Sequence, residues 1–142
     1  VSGDMSELPL AQRKILSYAI KQTANNDVLT LNLALNYGGR AEIVAATKKI
    51  AAMVEKGELL IEQIDEQKFA SFLQISELPD PELLVRTGGE LRVSNFMLWQ
   101  SAYAELYFTN VMWPDFDEIQ LCNAIIDYTS RERRFGGISG ED

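Results

Sequence analysis

Two arginines and a serine flank a pair of glycines between residues 86 and 94, and these residue types suit an anionic ligand. Arg86 precedes Thr87-Gly88-Gly89, and Arg92 and Ser94 follow it. A guanidinium offers a planar fork of donors that matches phosphate oxygens, and glycine lets the backbone approach a ligand closely. A diphosphate can take donors from all three side chains, each charge-assisted bond contributing about 1.5–3 kcal/mol. The alternative is that Arg86 pairs with Glu90 in an ordinary loop.

A second segment, Asn36-Tyr37-Gly38-Gly39-Arg40, places polar groups and glycines directly after an apolar run. The run covers residues 28–36, is rich in leucine, and is apolar on both faces apart from Thr30 and Asn32. This pattern predicts a strand inside a parallel sheet. Ligands of open α/β sheets bind outside the carboxyl ends of the strands. We therefore expect both glycine segments to lie at that edge.

Glu105 is a carboxylate in a segment that is otherwise apolar and aromatic. An unpaired buried carboxylate is costly, so we expect it at a strand end or beside a cation. Mg²⁺ that bridges this carboxylate and a substrate diphosphate would satisfy it. Pairing with a nearby arginine would satisfy it equally well, and the sequence leaves both interpretations open.

The cations are distributed unevenly along the chain. All six lysines lie before residue 69, and every later cation is an arginine: Arg86, Arg92, Arg131, Arg133 and Arg134. The last three precede Gly136-Gly137 at the predicted end of a helix, where positive charge complements the helix dipole and glycine stops the helix. That explanation requires no ligand, but it does not explain why arginine is used throughout.

Periodicity and turn signals predict alternating helices and strands. Helices are predicted at 9–24, 41–56 (closed by Gly57), 65–73 (capped by Asp65), 94–102, and from a capping box at Asp115 and Glu118 to about 134; strands at 28–36, 83–86 and 105–108. This order predicts an α/β fold, with a partial parallel sheet flanked by helices. We expect residues 1–142 to form part of one domain.

Composition excludes several function classes. The net charge of −8 disfavours binding to nucleic acid, and no apolar run approaches the roughly 20 residues of a membrane span. Without histidine and with Cys122 alone, the chain has no histidine-dependent triad, Cys/His zinc site or internal disulfide. Neither a Walker A motif nor G-x-G-x-x-G is present. A cytoplasmic protein is expected.

Taken together, the motifs resemble the cis-prenyltransferase family, specifically the bacterial undecaprenyl diphosphate synthases, also called isoprenyl transferases. The resemblance covers nearly the whole chain. It is carried by Asn36-Tyr37-Gly38-Gly39-Arg40, by residues 80–96, by Leu98-Trp99-Gln100, by Ala102-Tyr103-Ala104-Glu105-Leu106-Tyr107-Phe108, by Trp113-Pro114-Asp115-Phe116 and by residues 131–137.

The resemblance implies condensation of isopentenyl diphosphate onto farnesyl diphosphate with Z geometry, giving undecaprenyl diphosphate, the lipid carrier of cell-wall synthesis. It implies that Arg86, Arg92 and Ser94 hold the isopentenyl diphosphate and that Glu105 is a Mg²⁺ ligand. Arg134 and Gly136 resemble an Arg-x-Gly element that reaches across a homodimer interface, and Asn36 joins the substrate-binding residues. The leucine-rich strand would help to form the wall of a tunnel for the growing chain. Contact with the membrane is expected only transiently, when product leaves.

One departure from the family pattern is large. Family members begin with an Asp-Gly-Asn-Gly-Arg-Trp element whose aspartate is catalytic and binds Mg²⁺, and this element is missing here. The chain also starts with Val1 rather than Met. We therefore expect a C-terminal portion that carries no catalytic residue and is inactive alone. Two alternatives stay open: a non-catalytic partner subunit of a two-component prenyltransferase, and a general phosphate-binding α/β module.

Overall fold

The computed structural model describes residues 1–132, and its internal contacts divide the chain into two compact units, Val1–Leu78 and Pro79–Asp142. The first unit contains helices α1 (Leu10–Thr23), α2 (Gly39–Glu55) and α3 (Glu66–Ala70), with short 3₁₀ turns at Met5–Glu7 and Ile61–Gln63. The second contains strands β1 (Leu83–Arg86) and β2 (Glu105–Phe108), a 3₁₀ turn at Trp113–Asp115 and helix α4 (Glu118–Thr129). Helices combined with a small parallel sheet confirm the predicted α/β class.

Local signals in the sequence account for several helix ends. Gly57 has φ +72° after α2; its N–H bonds to the Val54 carbonyl, and the Glu58 N–H bonds to the Met53 carbonyl. This pair of bonds is the Schellman arrangement, which satisfies the last carbonyls of a helix. Asp65 caps α3 as predicted, because its side chain accepts from the Lys68 N–H at 2.7 Å.

The start of α4 differs from the prediction by two residues. Asp117, rather than Asp115, is the N-cap, and its carboxylate accepts from the Gln120 N–H at 3.0 Å. Asp115 instead belongs to the 3₁₀ turn that Pro114 favours, since proline fixes φ near the helical value. The helix also ends earlier than expected, at Thr129 with Ser130 as C-cap.

Each unit buries a small apolar core. The first centres on α2, which contacts α3, and its buried apolar residues are Ala46, Ile50, Leu59, Leu73 and Ile75. In the second unit Leu84 of β1 and Ala124 of α4 are buried, and α4 contacts β2. Helix α1 contributes no buried residue. No helix in the described part of the chain is long and apolar enough to cross a membrane.

The predicted strand at 28–36 does not form. The segment has no regular secondary structure, and within residues 1–132 its one ladder contact is an isolated parallel bridge between Ser2 and Ala34. Val28 and Leu29 are 95% and 82% exposed. A strand requires a neighbouring chain to hydrogen-bond along its length, and among the described residues the backbone of this segment hydrogen-bonds only to the backbone of Ser2 and Asp4.

The predicted helix at 94–102 is also absent, and a series of turns replaces it. Ser94, Asn95 and Met97 have φ of +47°, +63° and +46°, respectively. A right-handed helix cannot contain left-handed residues, so this segment supplies no helix N-terminus that could favour an anion.

Candidate anion-binding site

The two strands of the second unit determine where its polar groups lie. They are parallel, with Leu83 opposite Glu105 and Arg86 opposite Phe108. Arg86 is therefore at the carboxyl end of β1, as predicted, and the Thr109 N–H continues the ladder by bonding to the Arg86 carbonyl at 2.9 Å. This is the edge of a parallel sheet at which ligands usually bind.

The glycine turn after β1 is held against the chain that follows β2. The Gly88 and Gly89 N–H groups donate to the carbonyls of Val111 (2.8 Å) and Thr109 (2.9 Å). Both glycines are left-handed, with φ +81° and +73°, and a Cβ on Gly89 would lie 3.1 Å from Asn110 Oδ1. Glycine is required for this backbone, which fixes the path that leads from Arg86 to Arg92.

The three left-handed residues at 94–97 make the rest of this loop unusual. Ser94 is exposed and, with φ +47°, adopts a conformation that costs free energy for a residue with a side chain. The Ser101 N–H and hydroxyl both bond to the Met97 carbonyl, at 2.9 and 2.5 Å, and stabilise the turn. Backbone strain of this kind clusters at functional sites. It therefore supports the prediction that Ser94 contributes to a binding loop.

Arg86 has no anionic partner among residues 1–132. Its Nε is buried without a hydrogen bond, and no ion pair involves its guanidinium. The alternative that Arg86 pairs with Glu90 is therefore wrong. A buried donor without an acceptor costs about 1–3 kcal/mol, so Arg86 is the group of this loop that would gain most from an incoming anion.

Arg92, unlike Arg86, forms an ion pair with a described residue. Its Nη2 lies 2.6 Å from Glu90 Oε2, and its side chain is 67% exposed. Exposed ion pairs contribute about 0.2–1 kcal/mol, so an anion can displace Glu90 at little cost. The two arginines of the loop thus differ: among the described residues Arg86 has no counter-ion, whereas Arg92 has a weakly held one.

Glu105 lies at a strand end, as expected, but at the amino end of β2, opposite the carboxyl edge at which Arg86 lies. The register separates it from the level of Arg86 by three residues, about 10 Å along the strand direction. Its Oε2 accepts from Arg131 Nη1 at 2.9 Å, and both side chains are partly buried. The interpretation in which Glu105 pairs with an arginine is therefore confirmed.

Arg131 makes two further contacts. Nη1 also donates to the Leu106 carbonyl at 3.0 Å, and Nη2 lies 2.5 Å from Asp127 Oδ2. The contact with Asp127 is an ion pair between residues four positions apart. The hydrogen bond to Glu105, followed by the ion pair with Asp127, raises the pKa of Arg131 above its usual value. The guanidinium is charged at every accessible pH.

The carboxylate of Glu105 can still serve a divalent cation. Oε1 has no hydrogen bond or ion pair within residues 1–132, and a carboxylate oxygen is a hard ligand suited to Mg²⁺. The described residues contain no cluster of three or more acidic, cysteine or histidine side chains that would form a complete cage. Mg²⁺ is usually bound through one or two carboxylates plus substrate phosphates, so a single carboxylate fits this metal.

Asn36 belongs to the first unit, where it ends the extended segment with φ +49°. Its carbonyl accepts from the Asp4 N–H at 3.2 Å, and its Nδ2 donates to the Asp4 carbonyl at 3.3 Å. Asparagine tolerates the left-handed conformation better than most residues. The structure thus gives Asn36 a role in its own backbone turn, and its role toward substrate stays a prediction.

The sequence analysis missed Glu42, which is only 2% exposed. It accepts hydrogen bonds from the Tyr37 hydroxyl at 2.6 Å and from the Gln74 N–H at 2.8 Å. Glu42 therefore connects the glycine segment at the start of α2 to the loop that contains Gln74. A signal was available: Glu42 lies four residues before Ala46 and eight before Ile50, on the buried stripe of α2. A carboxylate on such a stripe indicates a buried polar network.

Arg134 and Gly136, which the sequence predicts to bind substrate, lie outside the described residues. Their assignment to an Arg-x-Gly element stays a prediction. Glu132 is the last residue that the structure describes.

Comparison with known proteins gives a consistent result. A family model described as "Putative undecaprenyl diphosphate synthase" matches residues 1–136. The isoprenyl transferase of Bacillus subtilis (strain 168) is 51% identical over 138 residues, which are 97% of this chain and 53% of that protein. The isoprenyl transferase of Streptococcus thermophilus (strain CNRZ 1066) is 55% identical over 140 residues, 96% of this chain and 56% of that protein.

Two solved structures are also similar. Lavandulyl diphosphate synthase from Lavandula x intermedia, in complex with dimethylallyl diphosphate, has a TM-score of 0.91 at 44% identity, covering 96% of this chain and 58% of that one. A structure described as "a probable undecaprenyl diphosphate synthase" from Campylobacter jejuni has a TM-score of 0.80 at 34% identity, covering 96% and 61%. The chain thus spans about half the length of the curated relatives that it matches.

Proposed function

The chain belongs to the undecaprenyl diphosphate synthase family of prenyltransferases, and from this premise we propose that it is the C-terminal, substrate-binding portion of a cis-prenyltransferase. The complete enzyme condenses isopentenyl diphosphate onto farnesyl diphosphate with Z geometry and produces undecaprenyl diphosphate for cell-wall lipid carrier synthesis. Identity of 51–55% with proteins named isoprenyl transferase supports an enzyme over a non-catalytic partner subunit.

The proposal rests on the position of Arg86 and on the hydrogen bond that its Nε lacks. Its buried Nε lacks an acceptor among the described residues, and it lies at the carboxyl end of β1, directly before a left-handed glycine pair. A guanidinium in this position is prepared to bind an anion without first breaking an internal ion pair. Arg92 and Ser94, on the strained loop that follows, would add donors to the same diphosphate.

In the proposed reaction this portion of the enzyme binds and orients the isopentenyl substrate. With the diphosphate held by Arg86, Arg92 and Ser94, the terminal alkene carbon is aligned to bond to the allylic carbon of farnesyl diphosphate. The allylic C–O bond breaks and diphosphate leaves, and the condensed product then loses a proton to restore a double bond. Holding both reactants in this geometry lowers the entropic part of the barrier.

Glu105 would hold the Mg²⁺ ion through its open oxygen. When bound, the ion supplies positive charge that neutralises diphosphate oxygens. Glu105 lies about 10 Å from the level of Arg86 along the strand direction, which is three residues at the parallel-strand rise. In this proposal the metal ligand and the arginine loop therefore contact the bound substrates at separate points.

We further propose that the enzyme acts as a cytoplasmic homodimer, in which Arg134 and Gly136 reach the partner's isopentenyl diphosphate and Asn36 assists in substrate binding. The exposed leucines of 29–35 contribute to a tunnel wall, where each buried CH₂ of the growing chain contributes about 0.8 kcal/mol. Membrane contact is transient and accompanies product release.

Calorimetric titration of isopentenyl diphosphate without metal tests the proposal, using a protein extended to the length of its relatives. Arg86→Ala should weaken binding about 10–100-fold, as expected for losing 1.5–3 kcal/mol. Arg86→Lys should recover only part of this loss, because lysine lacks the fork. Arg13→Ala removes an exposed arginine of α1 and is the matched control. Equal affinity of Arg86→Ala and wild type would disprove the proposed role.

A further inference from the structure

The contacts of Arg131 suggest a role that neither the motif nor the family comparison assigns. Directly after α4, this side chain joins three acceptors: Glu105 Oε2 at 2.9 Å, the Leu106 carbonyl at 3.0 Å and Asp127 Oδ2 at 2.5 Å. Two of these acceptors belong to the first two residues of β2 and the third to α4. The guanidinium therefore ties the end of a helix to the start of a strand.

The geometry at Glu105 is asymmetric. Arg131 engages Oε2 alone, and Oε1 has no partner within residues 1–132. A carboxylate held by one oxygen has lost its freedom to rotate, while the other oxygen remains available. The Glu105 and Arg131 side chains are 27% and 31% exposed, so solvent screens their attraction less than that of the Arg92–Glu90 pair.

The charge balance remains favourable for a cation. Glu105, Arg131 and Asp127 together carry one net negative charge, because two carboxylates surround one guanidinium. Asp127 also holds Nη2 of the guanidinium, so Arg131 does not use both of its terminal nitrogens to bind the two oxygens of Glu105. The group thus fixes Glu105 without neutralising the local field.

From these contacts we infer that Arg131 is a positioning residue, which orients Glu105 so that Oε1 is presented to a divalent cation. The inference rests on the proposed function, in which Glu105 is the metal ligand. Groups that orient a ligating carboxylate commonly change metal affinity 10–100-fold when they are removed. Mg²⁺ requires near-ideal octahedral geometry, and a mobile carboxylate would bind it poorly.

A simple charge effect makes the opposite prediction, which allows a sharp test. A nearby cation repels Mg²⁺, so if charge dominated, a neutral side chain at position 131 would strengthen metal binding. If orientation dominates, both neutral Arg131→Gln and charged Arg131→Lys weaken it. Lysine is informative because it retains the charge but cannot contact Glu105 and Asp127 through a planar fork.

The experiment measures Mn²⁺ binding by electron paramagnetic resonance, in a protein extended to the length of its relatives and saturated with isopentenyl diphosphate. Arg131→Lys should bind Mn²⁺ about tenfold more weakly, and Arg131→Gln 10–100-fold more weakly. Glu105→Gln should lose most of the binding. Isopentenyl diphosphate affinity without metal should change less than about twofold in both Arg131 variants, since Arg131 does not belong to the diphosphate loop.

Tyr128→Phe is the matched control for local stability. Tyr128 lies at the same end of α4, and its hydroxyl donates to Glu82 Oε2 at 3.1 Å, whereas the three acceptors of the Arg131 guanidinium belong to Glu105, Leu106 and Asp127. If Arg131→Gln fails to fold, Asp127→Asn provides a milder change that loosens Arg131 and should weaken Mn²⁺ binding several-fold. Thermal unfolding of every variant separates loss of orientation from loss of structure.

Two results would overturn the inference. Unchanged or tighter Mn²⁺ binding in folded Arg131→Lys and Arg131→Gln, with binding lost in Glu105→Gln, would exclude positioning while leaving Glu105 as a ligand. Unchanged binding in Glu105→Gln would instead remove the metal role of Glu105 itself. The Arg86 titration, performed without metal, is independent of both outcomes.

Discussion

Arg92 and Glu90 form an ion pair in which Nη2 lies 2.6 Å from Oε2, whereas Arg86, four residues before Glu90, has no counter-ion among the described residues. The two arginines of the same loop are therefore unequal before any ligand arrives. Glu90 occupies one donor set that the substrate would use, and it does so in an exposed position where the pair is weak.

Glu90→Gln should strengthen isopentenyl diphosphate binding. The substitution frees Arg92 and removes a negative charge that repels the diphosphate. Because exposed pairs contribute about 0.2–1 kcal/mol, we expect up to about fivefold tighter binding, with the gain falling at high salt. Calorimetric titration at two salt concentrations measures it. Glu118→Gln makes the same charge change on exposed α4 and should have little effect; weaker binding in Glu90→Gln would show that Glu90 assists the ligand instead.

Glu42→Ala should destabilise the first unit. The substitution leaves the Tyr37 hydroxyl and the Gln74 N–H without this acceptor, and because both hydrogen bonds are only part-buried we expect a total loss of about 1–3 kcal/mol. Urea unfolding followed by circular dichroism measures the free energy of unfolding. Glu55→Ala, exposed at the end of the same helix, is the control. A loss no larger than that of Glu55→Ala would mean that the network adds nothing.

Gly89→Ala should disturb the binding loop in two separable ways. Alanine disfavours φ +73°, and its Cβ would lie 3.1 Å from Asn110 Oδ1. We expect a stability loss of about 1–2 kcal/mol, with weaker isopentenyl diphosphate binding. Adding Asn110→Ala should relieve the contact but not the strain in φ, and so restore only part of the loss. Complete restoration by the double variant would attribute the whole effect to the contact.

The 142-residue chain should catalyse no prenyl transfer by itself. The family's Asp-Gly-Asn-Gly-Arg-Trp element does not occur in it, and the chain spans about half the length of its relatives. Incorporation of labelled isopentenyl diphosphate is measured with farnesyl diphosphate and Mg²⁺ present. A protein extended to the length of its relatives is the positive control. Counts from the 142-residue chain above those of a protein-free sample would contradict this expectation.

The same chain should self-associate. Val28, Leu29 and Leu31 are 95%, 82% and 76% exposed on an extended segment, and exposed apolar surface of this kind promotes association. Light scattering coupled to gel filtration should show species larger than a monomer. Replacing Leu29 and Leu31 with glutamate should reduce association more than Val44→Glu on α2. A monodisperse monomer of the unmodified chain would argue against the prediction.

Much of the local structure could be predicted from the sequence. Strands at 83–86 and 105–108 have the predicted bounds, and α1 and α2 agree within about two residues. Asp65 and Gly57 act as the predicted terminators. These features depend on groups within a few residues of one another, such as a carboxylate three positions before a free N–H, and such short-range interactions are visible in a sequence.

The two elements that were predicted wrongly, the strand at 28–36 and the helix at 94–102, depend on distant contacts or on backbone strain. Residues 28–36 have strand composition, but pairing depends on a neighbouring chain. Residues 94–102 have a helix-like pattern, yet Ser94, Asn95 and Met97 adopt left-handed conformations that the residue pattern does not predict.

The sequence by itself determined which side chains have donors and charges suited to a diphosphate and a divalent cation, because donor number, charge and flexibility belong to each residue type. Tertiary structure alone decided the partners of those side chains: within residues 1–132 Arg86 has no counter-ion, Arg92 pairs with Glu90, and Glu105 lies at the amino end of β2 beside Arg131. Strand register and the path of the loops set these distances, and electrostatic interactions depend on distance and burial rather than on order along the chain.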